Sequence, residues 1–228
     1  MVKSVQELID EVLEPKEKRV RSGKFSPSSF GKCFRNQYWN RFDEPVTNPI
    51  DTRTLRVFKA GNLFHDFVEG LLVDKGYQKE QLIETEDVKG FCDLVNTDEV
   101  ADIKSQHSKA FWYMSKTQDI KEDKKPNWLQ VAWYAIELGK QYMRLVFVSK
   151  DDLCIQEYRL EVDDYWKGEI KQELETLRGY WTKKELPPAQ PRCYKQKDGS
   201  FKECDYCNFR DKCFLIEGKK LPKTKEKK

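Results

Sequence analysis

The stretch GFCDLVNTDEVADIKS, residues 90–105, decides the fold. Two β-type runs, Val88–Val95 and Glu99–Lys104, flank the turn-forming residues Asn96–Asp98, which predicts a hairpin. Side chains alternate along a strand, so Asp102 and Lys104, two apart, project on one face, and Asp93 lies near the end of the preceding strand. Strand interiors seldom hold Asp. Three charged groups converging across a tight turn are costly unless water, a metal or a substrate satisfies them. Paired carboxylates form a hard-oxygen site of the kind that Mg²⁺ or Mn²⁺ takes while keeping waters for a substrate phosphate. A neighbouring lysine can orient the attacking water and offset charge developing on the phosphate. Taken alone, D-x8-D-x-K is equally an ion-paired strand edge.

Working outward from the hairpin, Gln81–Thr85 adds a first strand, with a turn at Asp87, to give a meander of three. Upstream, Val5–Leu13 is a short amphipathic helix, and Ser26–Arg41 a second helix opened by a Ser/Pro cap and carrying Cys33 within it. After a loop at Asn48–Asp51, apolar residues at Leu55, Phe58, Leu63, Phe67 and Leu71 predict a helix from Thr52 to about Lys75, stopped by Gly76. His65 and Glu69 share one face of it. Downstream, the polar stretch Ser105–Lys125, with His107 as a surface residue, overhangs the hairpin. Pro126 suits the first turn of a helix over Asn127–Gly139; Met143–Val148 and Leu153–Leu160 read as strands; and Trp166, Ile170, Leu174, Leu177 and Trp181 mark a last helix from about Asp164 to Lys184. Pro187, Pro188 and Pro191 end it. The chain shows no internal repeat.

The chain has 228 residues, of which 38% are hydrophobic and 36% charged, a mixture that supports a heavily solvated globular protein and excludes disorder throughout. Its apolar runs, such as Leu145–Val148, are far shorter than the roughly 18 residues a bilayer requires, and the start MVKSVQELID has no signal-peptide core. A cytoplasmic protein with no membrane partner is therefore expected. The formal charge of +3 resides in the terminal run Lys219–Lys228, read as a disordered lysine tail. Bulk charge thus gives no case for nucleic acid. One local cluster does: Pro15–Arg41 holds eight Lys or Arg and one Glu, interleaved with Phe25, Phe30, Phe34, Tyr38 and Trp39.

Seven cysteines, an odd number without a secretory signal, point to reduced thiols or a metal centre. Cys204, Cys207 and Cys213 stand as C-x2-C-x5-C, which can present three thiolates to one metal centre. The fourth ligand is either Cys193, closing a compact zinc site that local spacing favours, or Cys33, clipping the N-terminal region to the C-terminal one. Cys92 and Cys154 lie in apolar runs and read as core residues.

These residues also stand in a recognisable order. An early Cys33, the helix GNLFHDFVEG with His65, the G-x-x-D of Gly90–Asp93, the D-x-K of Asp102–Lys104, Gln130 with Tyr134, and the closing cysteine cluster together resemble the RecB-like branch of the PD-(D/E)XK nucleases. The likeness is to the iron–sulfur exonucleases of CRISPR adaptation and to phage and recombination relatives, and it spans residues 33–213, about four fifths of the chain. It implies an α/β, restriction-endonuclease-like core of mixed sheet flanked by helices, with a cysteine-rich C-terminal segment. It implies further that His65, Asp93, Asp102 and the Ile103 carbonyl hold Mg²⁺ or Mn²⁺, that Lys104 is the catalytic lysine, and that Gln130 and Tyr134 position the DNA end or the lysine. Glu69 is a reserve ligand. Cys33, Cys204, Cys207 and Cys213 would bind a [4Fe-4S] cluster as a structural staple, with zinc the alternative.

The resulting organisation is an N-terminal helical region, residues 1–51, contributing one cluster cysteine; a nuclease core, 52–186; a cluster-binding segment, 187–217; and the tail, 218–228. The expected activity is metal-dependent DNA exonuclease action on single-stranded ends, with CRISPR-adaptation or recombination proteins as partners and the 15–41 cluster lining the strand's path. The other readings are a non-catalytic DNA-binding or assembly module and a zinc-containing nucleic-acid-binding protein. The chain has no G-x4-G-K-[ST], so any helicase motor is a separate partner.

Overall fold

The meander predicted around residues 81–104 forms the first half of a mixed sheet in the computed structural model, which describes residues 3–15, 21–196 and 201–221. Strands β1 (Gln78–Glu84), β2 (Lys89–Val95) and β3 (Glu99–Gln106) run antiparallel in turn. The chain then leaves the sheet for a largely helical stretch, residues 108–137. It returns as β4 (Tyr142–Ser149), which pairs parallel to β3 from Glu99–Tyr142 to Gln106–Ser149. Strand β5 (Ile155–Glu161) closes the sheet antiparallel to β4, giving the order β1-β2-β3-β4-β5 among the described residues. Parallel pairing demands cover on both faces, which explains why the Leu145–Val148 run is apolar without alternation.

Helices supply that cover. On one face lies the long α3 (Thr52–Leu72), opened by Asp51, whose side chain accepts the Thr54 N–H, and ended by a 3-10 turn at Val73–Lys75 and Gly76 at φ +88°. Its Phe64, Val68 and Leu72 pack on Leu94, Ala101, Ile103, Val146 and Val148. On the other face, α6 (Lys125–Glu137) and α7 (Asp164–Lys183) enclose the larger core, in which Trp128, Trp133 and Trp166 meet Val100, Met143, Leu145 and Phe147. Alternation along β3 therefore sends Ile103 toward α3, and Asp102 and Lys104 toward α6. A short helix α1 (Val5–Leu13), closed by a capping box between Ser4 and Glu7, lies along α3.

The structure departs from the sequence reading in four places. Ser26–Arg41 is not one helix: a 3-10 turn at Pro27–Ser29 is followed by Gly31 at φ +72°, and α2 begins only at Phe34 and runs to Arg41. Cys33 is its N-cap instead of an interior residue. Gly31 is needed twice over, because a Cβ there would also stand 3.1 Å from Leu129 Cδ1 and from Pro126 Cα. Second, the stretch 105–125 is largely helical, as α4 (Ser108–Ser115) and α5 (Ile120–Asp123). His107 and Asp119 cap them by accepting backbone N–H groups of Ala110 and of Lys121 and Glu122.

Third, the aromatics of the 15–41 cluster do not line any path. Phe25, Phe30 and Trp39 are at most 4% exposed, and Phe34 and Tyr38 pack against the same core. Phe25 stacks on Trp181 with centroids 3.7 Å apart. Fourth, Cys154 lies exposed in the β4–β5 turn, where Leu153 at φ +59° delays the strand to Ile155; Cys92, by contrast, is fully buried as expected. Residues 222–228 of the lysine tail and residues 16–20 of the basic cluster lie outside the described residues. Among the described residues no helix is long and apolar enough to cross a membrane.

Candidate active site

Asp93 stands where the sheet is locally irregular on both sides. The β2–β3 ladder comprises only Leu94–Ala101 and Val95–Val100; beyond it β2 continues bonded to β1, and β3 continues bonded to β4. The β1–β2 ladder also skips Asp93, because its opposite residue, Glu80, sits at φ +49°. Asp93 bridges the opening itself, its Oδ2 accepting the Ile103 N–H at 2.8 Å. Helix α3 reaches into the same opening. His65 Nδ1 lies 3.5 Å from Asp93 Oδ2, and Glu69, one helical turn on, is 3% exposed. One donor atom from each of His65, Glu69 and Asp93 falls within 4.8 Å of the others.

From the α6 side comes a second group. Asp102 is buried, and Lys104 Nζ approaches its Oδ1 at 2.9 Å and its Oδ2 at 2.7 Å. Gln130 of α6 ties the pair together: its Nε2 donates to Asp102 Oδ1 at 2.9 Å, and its Oε1 accepts from Lys104 at 3.3 Å. The Asp102 Oδ2 contact with Lys104 is close but poorly directed, so this buried oxygen has no hydrogen bond of good geometry. Tyr134, one turn beyond Gln130, is buried beneath β2. A Cβ on Gly90 would stand 2.5 Å from its Oη and 2.7 Å from Pro27 Cδ, so the G-x-x-D glycine exists for close approach.

The electrostatics of these groups reinforce one another. Burial, then Asp93, Glu80 and Asp66, push the Glu69 carboxyl up to about 7. Burial, with Asp93 adding to it against the pull of Lys104, pushes Asp102 up to about 6, and burial raises Asp93 as well. Burial followed by Lys104 lowers His65, which favours the neutral imidazole that ligates metals. Lys104 is held above its ordinary value because Asp102 and Asp93 outweigh its burial, so it is an ammonium. Three acidic groups that each resist ionising beside one another, with an imidazole and one under-bonded oxygen, form a set that a hard divalent cation would satisfy.

Of the sequence-nominated residues, His65, Asp93, Asp102, Lys104, Gln130 and Tyr134 therefore come together, and Ile103 lies between them through its N–H. Continued by one step, the Leu94–Ala101 register sets Asp93 across from Asp102, and its carboxylate reaches the Ile103 N–H at the point where the ladder parts. Glu69, ranked only as a reserve, belongs to the tight donor group. Its i,i+4 spacing from His65 was the visible signal, and its burial was the part that the sequence did not show.

The cysteines divide as follows. A 3-10 turn at Lys202–Tyr206 and helix α8 (Arg210–Ile216) bring Cys204, Cys207 and Cys213 against α2. Burial, and to a lesser extent the Cys33 and Cys204 sulfurs, raise the Cys207 thiol; burial, then Cys33, Glu203 and Cys213, raise that of Cys204. Donors face these sulfurs: Asn36 Nδ2 lies 3.2 Å from Cys207, and Arg35 Nη1 3.5 Å from Cys213. Cys193 is buried nearby, but its thiol meets Glu203, Lys32 and Arg192 instead of the other four cysteines. Glu203, 5% exposed, accepts three backbone N–H groups, from Cys33 at 2.5 Å, Arg192 at 2.6 Å and Cys193 at 3.1 Å.

A mixed sheet of this order, flanked by helices, with acidic residues at a parting of strands, defines an α/β protein of the restriction-endonuclease-like fold. Solved structures share it. SSO0001 superposes with a TM-score of 0.56 at 17% identity, over 92% of this chain and 96% of its own. LHK-Exo, the alkaline exonuclease of Laribacter hongkongensis, solved with dAMP, gives 0.55 at 17% identity over 72% and 91%. A phage-related exonuclease from Haemophilus somnus 129PT gives 0.50 at 16% identity over 80% and 94%. No protein-family model matches the chain, and no curated protein matches it.

Proposed function

We propose that the protein is a metal-dependent deoxyribonuclease of the PD-(D/E)XK, RecB-like type, acting as an exonuclease on single-stranded ends. The observation that carries this reading is the donor group His65–Glu69–Asp93 set against Asp102, Lys104 and Gln130 across one opening in the sheet. Two of the superposing structures are exonucleases, and one of these was solved with a nucleotide. That fold likeness supports the same class of chemistry here.

His65, Glu69, Asp93 and Asp102, with the Ile103 carbonyl, would hold Mg²⁺ or Mn²⁺. When bound, the cation supplies Lewis-acid polarisation of the phosphate and a more acidic water. The chain's own groups do the rest. Gln130 bonds both Lys104 and Asp102 and so holds the pair in place, which would let the ammonium stand beside the phosphate without having to be ordered during the reaction. Lys104 offsets the negative charge that builds on the phosphate oxygens, and Tyr134 sets the depth of β2 beneath the site through Gly90.

The four thiols of Cys33, Cys204, Cys207 and Cys213 suit a [4Fe-4S] cluster, which would pin residues 1–51 to residues 187–217 beside the 52–186 core. In a cell the enzyme would work on ends delivered by separate CRISPR-adaptation or recombination proteins. The decisive experiment is release of nucleotides from end-labelled single-stranded DNA with Mg²⁺ or Mn²⁺, compared with chelator. Lys104→Ala is expected to lower the rate by about a hundredfold or more while DNA binding persists. A variant cutting at the parental rate refutes the site.

A further inference from the structure

The sequence assigned base stacking to the aromatics of residues 25–39, but the structure buries Phe25, Phe30 and Trp39 and packs Phe34 and Tyr38, half-buried, against the same core, which leaves the strand without an open platform there. Deepening the nuclease reading on which it rests, we propose that Trp112 and Tyr113 of α4 form a base-stacking ledge that receives single-stranded nucleic acid a few nucleotides from Lys104.

Both rings face solvent, Trp112 at 55% and Tyr113 at 58% exposure, with centroids 5.1 Å apart in an edge-to-face pair. Large aromatics are normally buried, so an exposed adjacent pair on an otherwise anchored helix calls for a partner. The helix is anchored: Met114 is 4% exposed in the core that α6 shares, Phe111 packs against that core, and His107 caps the first turn. This is the same face of the sheet toward which Asp102 and Lys104 point. Position follows from chain geometry. Three strand residues at about 3.3 Å and five helical ones at about 1.5 Å separate Lys104 from Trp112, so their α-carbons lie within about 18 Å.

The occupant is fixed by charge. Lys116 Nζ sits 5.9 Å from the Trp112 ring centre, and neither Lys116 nor Lys109 is ion-paired among the described residues. Lys124 lies over Phe147, whose strand position is opposite Lys104, with the Asp123 carboxylate acting on it. Lys109 and Lys116, cations without counter-ions beside exposed rings, fit a polyanion that carries flat bases. Stacked bases in a duplex have no free faces, so the ledge selects single strands.

The test uses the intact protein with no divalent cation added, so that nothing is cut. The other five tryptophans are at most 6% exposed, which makes Trp112 the reporter. Oligo(dT) is expected to quench tryptophan fluorescence, whereas an abasic strand of equal length and the corresponding duplex do not. By anisotropy, Trp112→Leu and Tyr113→Leu should each weaken oligo(dT) binding at least about fivefold, with Trp112→Phe restoring most of it. Equal quenching by the abasic strand, or undiminished binding in both leucine variants, overturns the ledge. Should a leucine variant fail to fold by circular dichroism, the abasic comparison on the parental protein still decides. Stacking without any metal-dependent cleavage would remove the nuclease and leave the ledge standing; cleavage without stacking would do the reverse.

Discussion

Glu69 shows how much one side chain's surroundings matter. On the sequence it is one of many acidic residues on a helix; in the fold it is sealed against Asp93 with its carboxyl pushed up to about 7 by burial and like charge. A group held this uncomfortably is relieved by a cation. Replacing one carboxylate of the donor group by a neutral amide removes a hard, negative oxygen from the cation, so Glu69→Gln should weaken Mn²⁺ binding by about tenfold or more in calorimetry. Gly90 makes a complementary point about space. Gly90→Ala drives a methyl into Tyr134 Oη and Pro27, and a destabilisation of about 1–3 kcal/mol in urea melts is expected. Adding Tyr134→Phe should recover part of it and leave the Pro27 share. At the sheet's far end Glu99 is buried with Tyr77, Arg144 and Arg159; burial would raise it, but their hydrogen bonds hold it at about 2 instead of 4.5. A depressed carboxylate stabilises above its unfolded pKa and loses that contribution as pH falls. About 3 kcal/mol should therefore disappear between about pH 4.5 and 2. Glu99→Gln should flatten that limb of a stability–pH profile.

Elements were legible where period and punctuation agreed. The meander, α3 with its Gly76 stop, and α7 with its three- and four-residue apolar steps all fall within a few residues of their expected bounds. The 105–125 stretch was not legible. Only Phe111 and Met114 of α4 turn inward, too few to mark a helix, and its remaining aromatics point to water. Gly31 was visible as a residue but not as a break, because its left-handed backbone answers to Leu129 and Pro126, which lie about a hundred positions away. The site followed the same rule. Asp102 and Lys104 were nominated by spacing and Gln130 by the family resemblance, and all three do bond to one another, but the early parting of β2 from β3 and the left-handed backbone at Glu80 beside Asp93 are encoded by no local pattern.

Across the whole molecule the cysteines carry the sharpest discrimination. If Cys33 completes the centre, Cys33→Ala should lose iron and sulfide on chemical assay, whereas Cys193→Ala, whose thiol faces Lys32 and Glu203, should keep the parental content. A colourless parental protein containing zinc would reverse both expectations and favour the compact zinc site. Glu203 adds something that does not depend on which metal is found. One carboxylate grips the amides of Cys33, Arg192 and Cys193, so the early and late parts of the polypeptide are fastened by purely organic means. Stripped of inorganic ions, the molecule would stay shut, and reloading would be a matter of diffusion into a waiting cradle, without passage through an unfolded state.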